Sequence, residues 1–136
     1  MKAFLIAAAV FSHFENVPVK KTVDGDTIRV TLPGLPAVFS DMRIRLKGID
    51  TAELSDAREC GKRDAQRARE LLGSAVTPMV SLAFCEMDLY FRLDCFVKNS
   101  RGEDLSELMI KSRLARLYTG GKRPPWVCVQ TEYLQK

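Results

Sequence analysis

The chain has 136 residues, 46% of them hydrophobic, which is enough for one modest core and excludes two independent domains. Its 21 basic and 17 acidic residues give a net charge of +4, so polyanion binding depends on where the basic groups are placed. The single histidine, His13, excludes catalytic centres that need an imidazole, such as a Ser-His-Asp triad.

The N-terminus has the pattern of a signal peptide. Met1-Lys2 precede an apolar run from Ala3 to Phe11, which is too short to span a bilayer. No clean cleavage site follows, so residues 1–14 are interpreted as a signal peptide or an N-terminal extension, and residues 15–136 as a single domain. A first strand or a helical extension packed on the domain is the alternative. With four cysteines in the chain, the pattern favours a periplasmic or secreted protein over a cytoplasmic one.

The first half of the domain predicts a meander of short antiparallel strands. Apolar and polar residues alternate over residues 27–32 and again over residues 42–47. The prolines and glycine of residues 33–36 mark a turn between these strands, and Asp24-Gly25 marks another before them. Each strand has one apolar face, formed by Ile28, Val30 and Leu32 in the first and by Met42, Ile44 and Leu46 in the second.

The second half predicts two helices and two further strands. Helical spacing runs from about Ser55 to Ala75, with Ala57, Gly61, Ala65, Ala68 and Leu72 on the same face, and strands are expected over residues 79–85 and 91–97. Asp104, with Glu107 three residues later, is a predicted N-cap for a second helix that ends near Arg113. Paired glycines and prolines make residues 120–126 an irregular C-terminal tail.

This order of elements predicts a small β-barrel with flanking helices, in the α+β class. Many strands joined by local turns, with few helices, are typical of a closed or partly open barrel. An oligonucleotide/oligosaccharide-binding (OB) barrel fits that inventory.

Carboxylates stand at the ends of two predicted strands. Asp26 precedes the first strand, while Asp50 and Glu53 follow the second. Oxygen ligands of this kind suit a hard cation, and Ca²⁺ tolerates irregular geometry and several waters. Taken singly, each carboxylate is also interpretable as a turn former or a solubilising charge.

Two arginines add a second kind of chemistry. Arg45 lies on the polar face of its strand, five residues before Asp50, and Arg92 follows Tyr90-Phe91. Guanidinium groups match phosphate oxygens and stabilise charge that accumulates on phosphorus during its displacement. Surface ion pairs are the alternative for both.

Together these segments resemble the staphylococcal nuclease (thermonuclease) family. The resemblance covers about residues 17–118 and rests on Asp-Gly-Asp-Thr at 24–27, Arg-Leu-Lys-Gly-Ile-Asp-Thr-Ala-Glu at 45–53 and Asp-Leu-Tyr-Phe-Arg at 88–92. Residues 105–118 are similar to the family's helix that ends in Leu-Ala. The resemblance implies an OB-type barrel and a secreted, Ca²⁺-dependent nuclease domain.

The resemblance also implies a cation and water set. Asp26 and Asp50 match carboxylates that bind one Ca²⁺ ion, with the backbone carbonyl of Thr51 as a further ligand. Glu53 matches the residue that orients or deprotonates the attacking water. Asp24 is expected to support the turn rather than the metal.

A phosphate-binding set follows in the same way. Arg45 and Arg92 match two arginines that hold the scissile phosphate, and Tyr90 matches a tyrosine near the bound nucleotide phosphate. No histidine is required in this arrangement, which agrees with the composition of the chain.

Three positions depart from the family pattern. Ala52 replaces a proline, which makes the loop that carries Glu53 more mobile. Phe91 replaces a glycine, and if that position has a positive φ, phenylalanine is costly there and Arg92 is displaced. Arg113 stands where glycine often ends the last helix, and it is expected to affect stability only.

The cysteines predict disulfides rather than zinc binding, because no two of them have the spacing of a CxxC motif. Four cysteines allow three connectivities, and the sequence does not choose between them. A hairpin around residue 90 brings Cys85 and Cys95 opposite each other, although such cysteines are also common as small core hydrophobes. Secreted bacterial proteins of the resembled family imply the other pair, Cys60 with Cys128.

Trp126, in the tail, is expected to cover the edge of the core, with stacking on a base in a basic groove as the alternative.

The prediction is a monomeric Ca²⁺-dependent endonuclease without a membrane span, acting on single-stranded or melted DNA and also on RNA. A non-catalytic nucleic-acid-binding OB module, in which Phe91 disables Arg92, is the first alternative. A disulfide-stabilised secreted interaction module is the second, and it leaves the three carboxylates unexplained.

Overall fold

The computed structural model describes residues 13–129. Strands alternate with three helices, which are labelled here in chain order: β1 (Phe14–Thr22), β2 (Thr27–Thr31), α1 (Ala37–Ser40), β3 (Asp41–Leu46), β4 (Ile49–Thr51), α2 (Glu59–Ala75), β5 (Met79–Met87), β6 (Leu93–Asn99), α3 (Leu105–Lys111) and β7 (Ala115–Leu117). The predicted N-terminal segment, residues 1–14, lies outside the described residues except for its last two, and Phe14 already pairs with Leu82 in the sheet.

Five strands close into a barrel in the order β1-β2-β3-β6-β5, and β5 returns to β1. The first three strands form the predicted antiparallel meander, whereas β3 and β6 are parallel. The predicted β-barrel with flanking helices is therefore confirmed, and its architecture is like that of an OB barrel. The remaining strands, β4 and β7, form a separate two-stranded antiparallel sheet.

The core fills the barrel with the residues that the strand alternation predicts. Ile28 pairs with Ile44 and Val30 pairs with Met42 across β2 and β3, and all four side chains are buried. Leu72 of α2 and Leu105 of α3 are fully buried in the same cluster. Both longer helices therefore cover the barrel through apolar faces.

Helix α2 begins at Glu59, four residues later than predicted. The Asp56 side chain accepts a hydrogen bond from the backbone N–H of Arg58 at 2.8 Å, which keeps residues 56–58 in a turn. Ala57 is accordingly exposed and outside the helix. A Cβ atom at position 61 would lie 2.2 Å from the Asp56 carboxylate, so Gly61 is needed where the turn folds back on the helix.

Helix α3 begins as predicted, because the Asp104 side chain accepts a hydrogen bond from the backbone N–H of Glu107 at 3.1 Å. The sequence did not reveal α1, β4 or β7, which have only three or four residues each. No helix within residues 13–129 is long and apolar enough to cross a membrane.

Candidate active site

The turn between β1 and β2 places Asp26 against helix α2. A Cβ atom at position 25 would lie 2.5 Å from the side chain of Ala68, so only glycine allows this close approach. The backbone N–H of Asp26 donates to Oδ1 of Asp24 at 3.1 Å, in agreement with the predicted supporting role of Asp24. Asp26 is buried and accepts a hydrogen bond from the Thr27 hydroxyl at 2.8 Å. Its carboxylate therefore has a fixed position.

Strand β4 carries Asp50 and Thr51 into the same region. Both residues are buried, and Asp50 is only 2% exposed. In the antiparallel pairing of β4 with β7, Asp50 is opposite Arg116 and Thr51 is opposite Ala115. A carboxylate this deep needs compensating charge, and β7 supplies part of it.

Arg45, near the end of β3, joins the two halves of the carboxylate set. Its Nη2 lies 3.6 Å from Oδ2 of Asp26 and 3.8 Å from Oδ1 of Asp50. Both carboxylates therefore face the same guanidinium nitrogen. The Arg45 guanidinium stands over the ring of Tyr118 at 5.6 Å from the ring centroid.

Two arginines that the sequence analysis did not identify complete the surroundings of Asp50. Arg116 donates to Oδ2 of Asp50 from Nε at 3.1 Å and from Nη2 at 2.8 Å. Arg123 donates from Nη1 to Oδ1 of Asp50 at 2.9 Å, and the same nitrogen lies 2.6 Å from Oε1 of Glu53. The pKa of Arg123 is raised, above all by its hydrogen bond to Asp50. The only sequence signal for these residues was that both are basic.

The β5–β6 hairpin brings Tyr90 and Arg92 to the same cleft as Arg45 and Asp26. Oδ1 of Asp88 accepts the backbone N–H groups of Tyr90 and Arg92, and its Oδ2 accepts Nε of Arg92 at 2.8 Å. Arg92 stands over the Tyr90 ring at 5.3 Å from its centroid. Nη2 of Arg43, on β3, donates to the Tyr90 carbonyl at 3.0 Å and ties the hairpin to the barrel.

Phe91 has a φ of +57°, so its backbone occupies the left-handed region. This is the positive φ that the sequence analysis considered for the position where Phe91 replaces a glycine. Its side chain is exposed. Asp88 nevertheless holds the Arg92 side chain, and Arg92 lines the same cleft as Arg45 and Glu53. The backbone cost at Phe91 is thus not accompanied by removal of Arg92 from the cleft.

These residues surround one open cleft of about 840 Å³. All but one of the predicted site residues line this cleft: Arg45, Glu53, Arg92, Asp26, Thr51 and Tyr90. The exception is Asp50, which is buried and forms ion pairs with the lining residues Arg45 and Arg123. A volume of this size accommodates a nucleotide. The sequence-predicted residues, separated by up to 66 positions, therefore converge on one place.

Three carboxylates that line the cleft, Asp24, Asp88 and Asp94, have shifted pKa values. Burial, followed by the negative charge of Asp26, raises the pKa of Asp24 to about 7. Burial and a hydrogen bond with Asp88 raise the pKa of Asp94 to about 6. For Asp88, burial acts to raise the pKa, but hydrogen bonds from Asp94, Tyr90 and Arg92 outweigh it, and the pKa is lowered. Such a concentration of shifted groups in a cleft is typical of functional sites.

A divalent cation needs several oxygen ligands that converge on one point. Among residues 13–129, no group of three His, Cys, Asp or Glu side chains is arranged to hold a metal ion. Asp26 and Asp50 offer two converging carboxylates, and Thr51 is their neighbour in the cleft with a backbone carbonyl. Two carboxylates, a carbonyl and waters are a set that Ca²⁺ accepts, so the residues present fit this ion.

The irregular tail is fixed by disulfides and by a buried carboxylate. Cys60 is bonded to Cys128, and Cys85 is bonded to Cys95, which confirms both predicted pairs. Oδ2 of Asp64, which is fully buried, accepts the indole N–H of Trp126 at 3.0 Å and the backbone N–H of Val129 at 2.7 Å. These contacts hold Trp126 and Val129 against helix α2. The two disulfides fit an oxidising compartment.

Comparison with protein-family models and with curated protein sequences finds no match to this chain.

Proposed function

We propose that the protein is an exported, monomeric, Ca²⁺-dependent endonuclease that hydrolyses phosphodiester bonds in single-stranded or melted DNA and in RNA. The observation that carries this proposal is the convergence of Asp26 and Asp50 on Arg45, in a cleft that also contains Glu53 and Arg92. The resemblance to the staphylococcal nuclease family, which rests on the same residues, supports it. The disulfides support export.

The side chains divide the reaction between two sides of the cleft. Asp26, Asp50 and the Thr51 carbonyl would hold one Ca²⁺ ion, which supplies charge neutralisation and brings water and phosphodiester together. Glu53, whose side chain is 52% exposed, is accessible to orient a water or to take its proton. The attack of that water on phosphorus forms the new P–O bond and breaks the ester bond to the leaving oxygen.

The arginines act on the charge of the phosphate. Arg45 and Arg92 line the cleft from β3 and from the hairpin, and guanidinium groups stabilise the negative charge that develops on the phosphate oxygens. Tyr90, beneath the Arg92 guanidinium, limits the positions that Arg92 can adopt. No imidazole takes part.

Cleavage of labelled single-stranded DNA by the purified protein, with Ca²⁺ or with a chelator, tests the proposal. Glu53→Gln is expected to lower the rate by about 10²–10⁴ and Arg92→Ala by about 10²–10³. Glu70→Gln and Arg69→Ala, at exposed positions of α2, are matched controls that should leave the rate unchanged.

The second candidate function is a non-catalytic nucleic-acid-binding module. The ion pairs of Arg116 and Arg123 with Asp50 favour it, because they neutralise a carboxylate that a catalytic cation would need. If the protein binds the labelled strand but shows no Ca²⁺-dependent cutting, the enzyme proposal fails and the binding module takes its place.

A further inference from the structure

The C-terminal strap, residues 118–129, carries Arg123 into the candidate cation site. We infer that Arg123 and a divalent cation compete for Oδ1 of Asp50, so that the strap regulates cation entry. This inference rests on the proposed function, because it assigns regulation to the same site. It is carried by the ion pairs that Arg123 makes with Asp50 at 2.9 Å and with Glu53 at 2.6 Å.

Arg123 and a cation would compete for one oxygen atom, Oδ1 of Asp50. Oδ2 of Asp50 already accepts hydrogen bonds from Nε and Nη2 of Arg116. Oδ1 of Asp50 and Oδ2 of Asp26 both face Nη2 of Arg45. A cation shared by Asp26 and Asp50 therefore needs Oδ1, and Arg123 donates to that atom. A guanidinium at hydrogen-bond distance from the same oxygen also repels a doubly charged ion.

Arg123, rather than Arg116, is the group that can leave. Arg116 belongs to β7, donates to the carbonyls of Pro124 and Pro125, and stands over the Trp126 ring at 5.4 Å from its centroid. The contacts described for Arg123 are with the two carboxylates, and its side chain is 44% exposed. Its guanidinium can therefore turn into solvent without disturbing the β-sheet.

The strap is fixed at both ends and bends between them. The backbone N–H of Tyr118 donates to the Gly48 carbonyl at 2.9 Å, and the Cys60–Cys128 disulfide holds the far end. Gly120 and Gly121 both have positive φ, so the chain turns there in a way that other residues rarely adopt. Tethering at two points keeps Arg123 at a high effective concentration beside the carboxylates.

Calorimetric titration with Ca²⁺ alone tests the inference without any substrate. Arg123→Gln is expected to bind Ca²⁺ about tenfold more tightly than the unmodified protein, a typical size for coupling between two ligands. Lys122→Gln removes the same charge from the neighbouring, exposed position of the strap and should change the affinity less than twofold. Arg123→Lys, which keeps the charge but not the planar donor geometry, should be intermediate.

Hydrogen exchange supplies a second readout. Ca²⁺ is expected to speed amide exchange in residues 119–125 of the unmodified protein, because the ion displaces Arg123, and to leave exchange in the Arg123→Gln strap unchanged. Equal Ca²⁺ affinities of Arg123→Gln and Lys122→Gln would overturn the inference while leaving the proposed function intact. Absence of Ca²⁺ binding in all forms would remove the inference together with the proposed cation-dependent function.

Discussion

The left-handed backbone at Phe91 allows a test that depends on the sign of a free-energy difference. A non-glycine residue in this region costs roughly 1–2 kcal/mol, while glycine at an ordinary position is less stable than alanine by roughly 0.5–1 kcal/mol. With φ at +57°, Phe91→Gly should therefore be more stable than Phe91→Ala by about 0.5–1 kcal/mol. Comparing these two variants with each other removes the contribution of the aromatic ring.

Lys98, exposed on β6 and without a positive φ, provides the matched control. There the order should be reversed, and Lys98→Ala should be more stable than Lys98→Gly by roughly 0.5–1 kcal/mol. Urea unfolding followed by circular dichroism measures the free energy of unfolding for all four variants. If alanine is the more stable residue at position 91 as well, the left-handed assignment of Phe91 is wrong.

The same variants test whether the aromatic ring positions Arg92. Asp88 holds the Arg92 side chain through Oδ2, so Phe91→Gly is expected to cut single-stranded DNA within about threefold of the unmodified rate. A loss of about a hundredfold, comparable with that of Arg92→Ala, would show that the Phe91 ring is required for the position of Arg92.

Three further predictions concern stability. Asn99→Ala removes four hydrogen bonds, two donated to Ala75 and Glu103 and two accepted from backbone N–H groups, and should lower the free energy of unfolding in urea by about 2–4 kcal/mol. Asp94→Asn should raise it by about 1 kcal/mol above pH 6, after allowance for solvent screening, since the pKa of Asp94 rises on folding from 3.8 to about 6. That gain should shrink as the pH falls from about 6 and vanish below the unfolded pKa of 3.8, where the folded and unfolded states both bind the proton, and a constant gain at all pH values would contradict it. Replacing Cys60 and Cys128 by serine should cost about 4 kcal/mol by the loop-entropy relation for a separation of 68 residues, and an unchanged denaturation midpoint would count against that account.

The barrel was predictable because its strands are long enough to show alternation. Ile28 and Val30 of β2, and Met42 and Ile44 of β3, alternate with a period of two along their strands, and all four are buried in the barrel. The parallel pairing of β3 with β6 joins residues 49 positions apart in register, such as Ile44 with Leu93, and no local pattern encodes it. Strands β4 and β7, with three residues each, were too short to recognise.

The candidate site was predictable where a residue belongs to a local motif. Asp26, Glu53 and Arg92 each stand in one of the local motifs on which the resemblance rests, and the structure brings them to one cleft. Arg116 and Arg123 lie in a strand and a tail without such a motif, so their approach to Asp50 depends on tertiary folding alone. Basic residues outside a motif are most often solvated, so nothing in the local pattern separated Arg116 and Arg123 from the other arginines.

The pairing of β4 with β7 also bears on the order in which the molecule is made. Asp50 receives Arg116 from a strand that lies 66 residues later in the chain. A nascent chain on the ribosome therefore cannot assemble this pair until Ala115 to Leu117 have been synthesised and have emerged. The centre of the cleft is thus completed only after the barrel strands have been made, and a fragment that stops before Ala115 is expected to contain most of the barrel without a finished site.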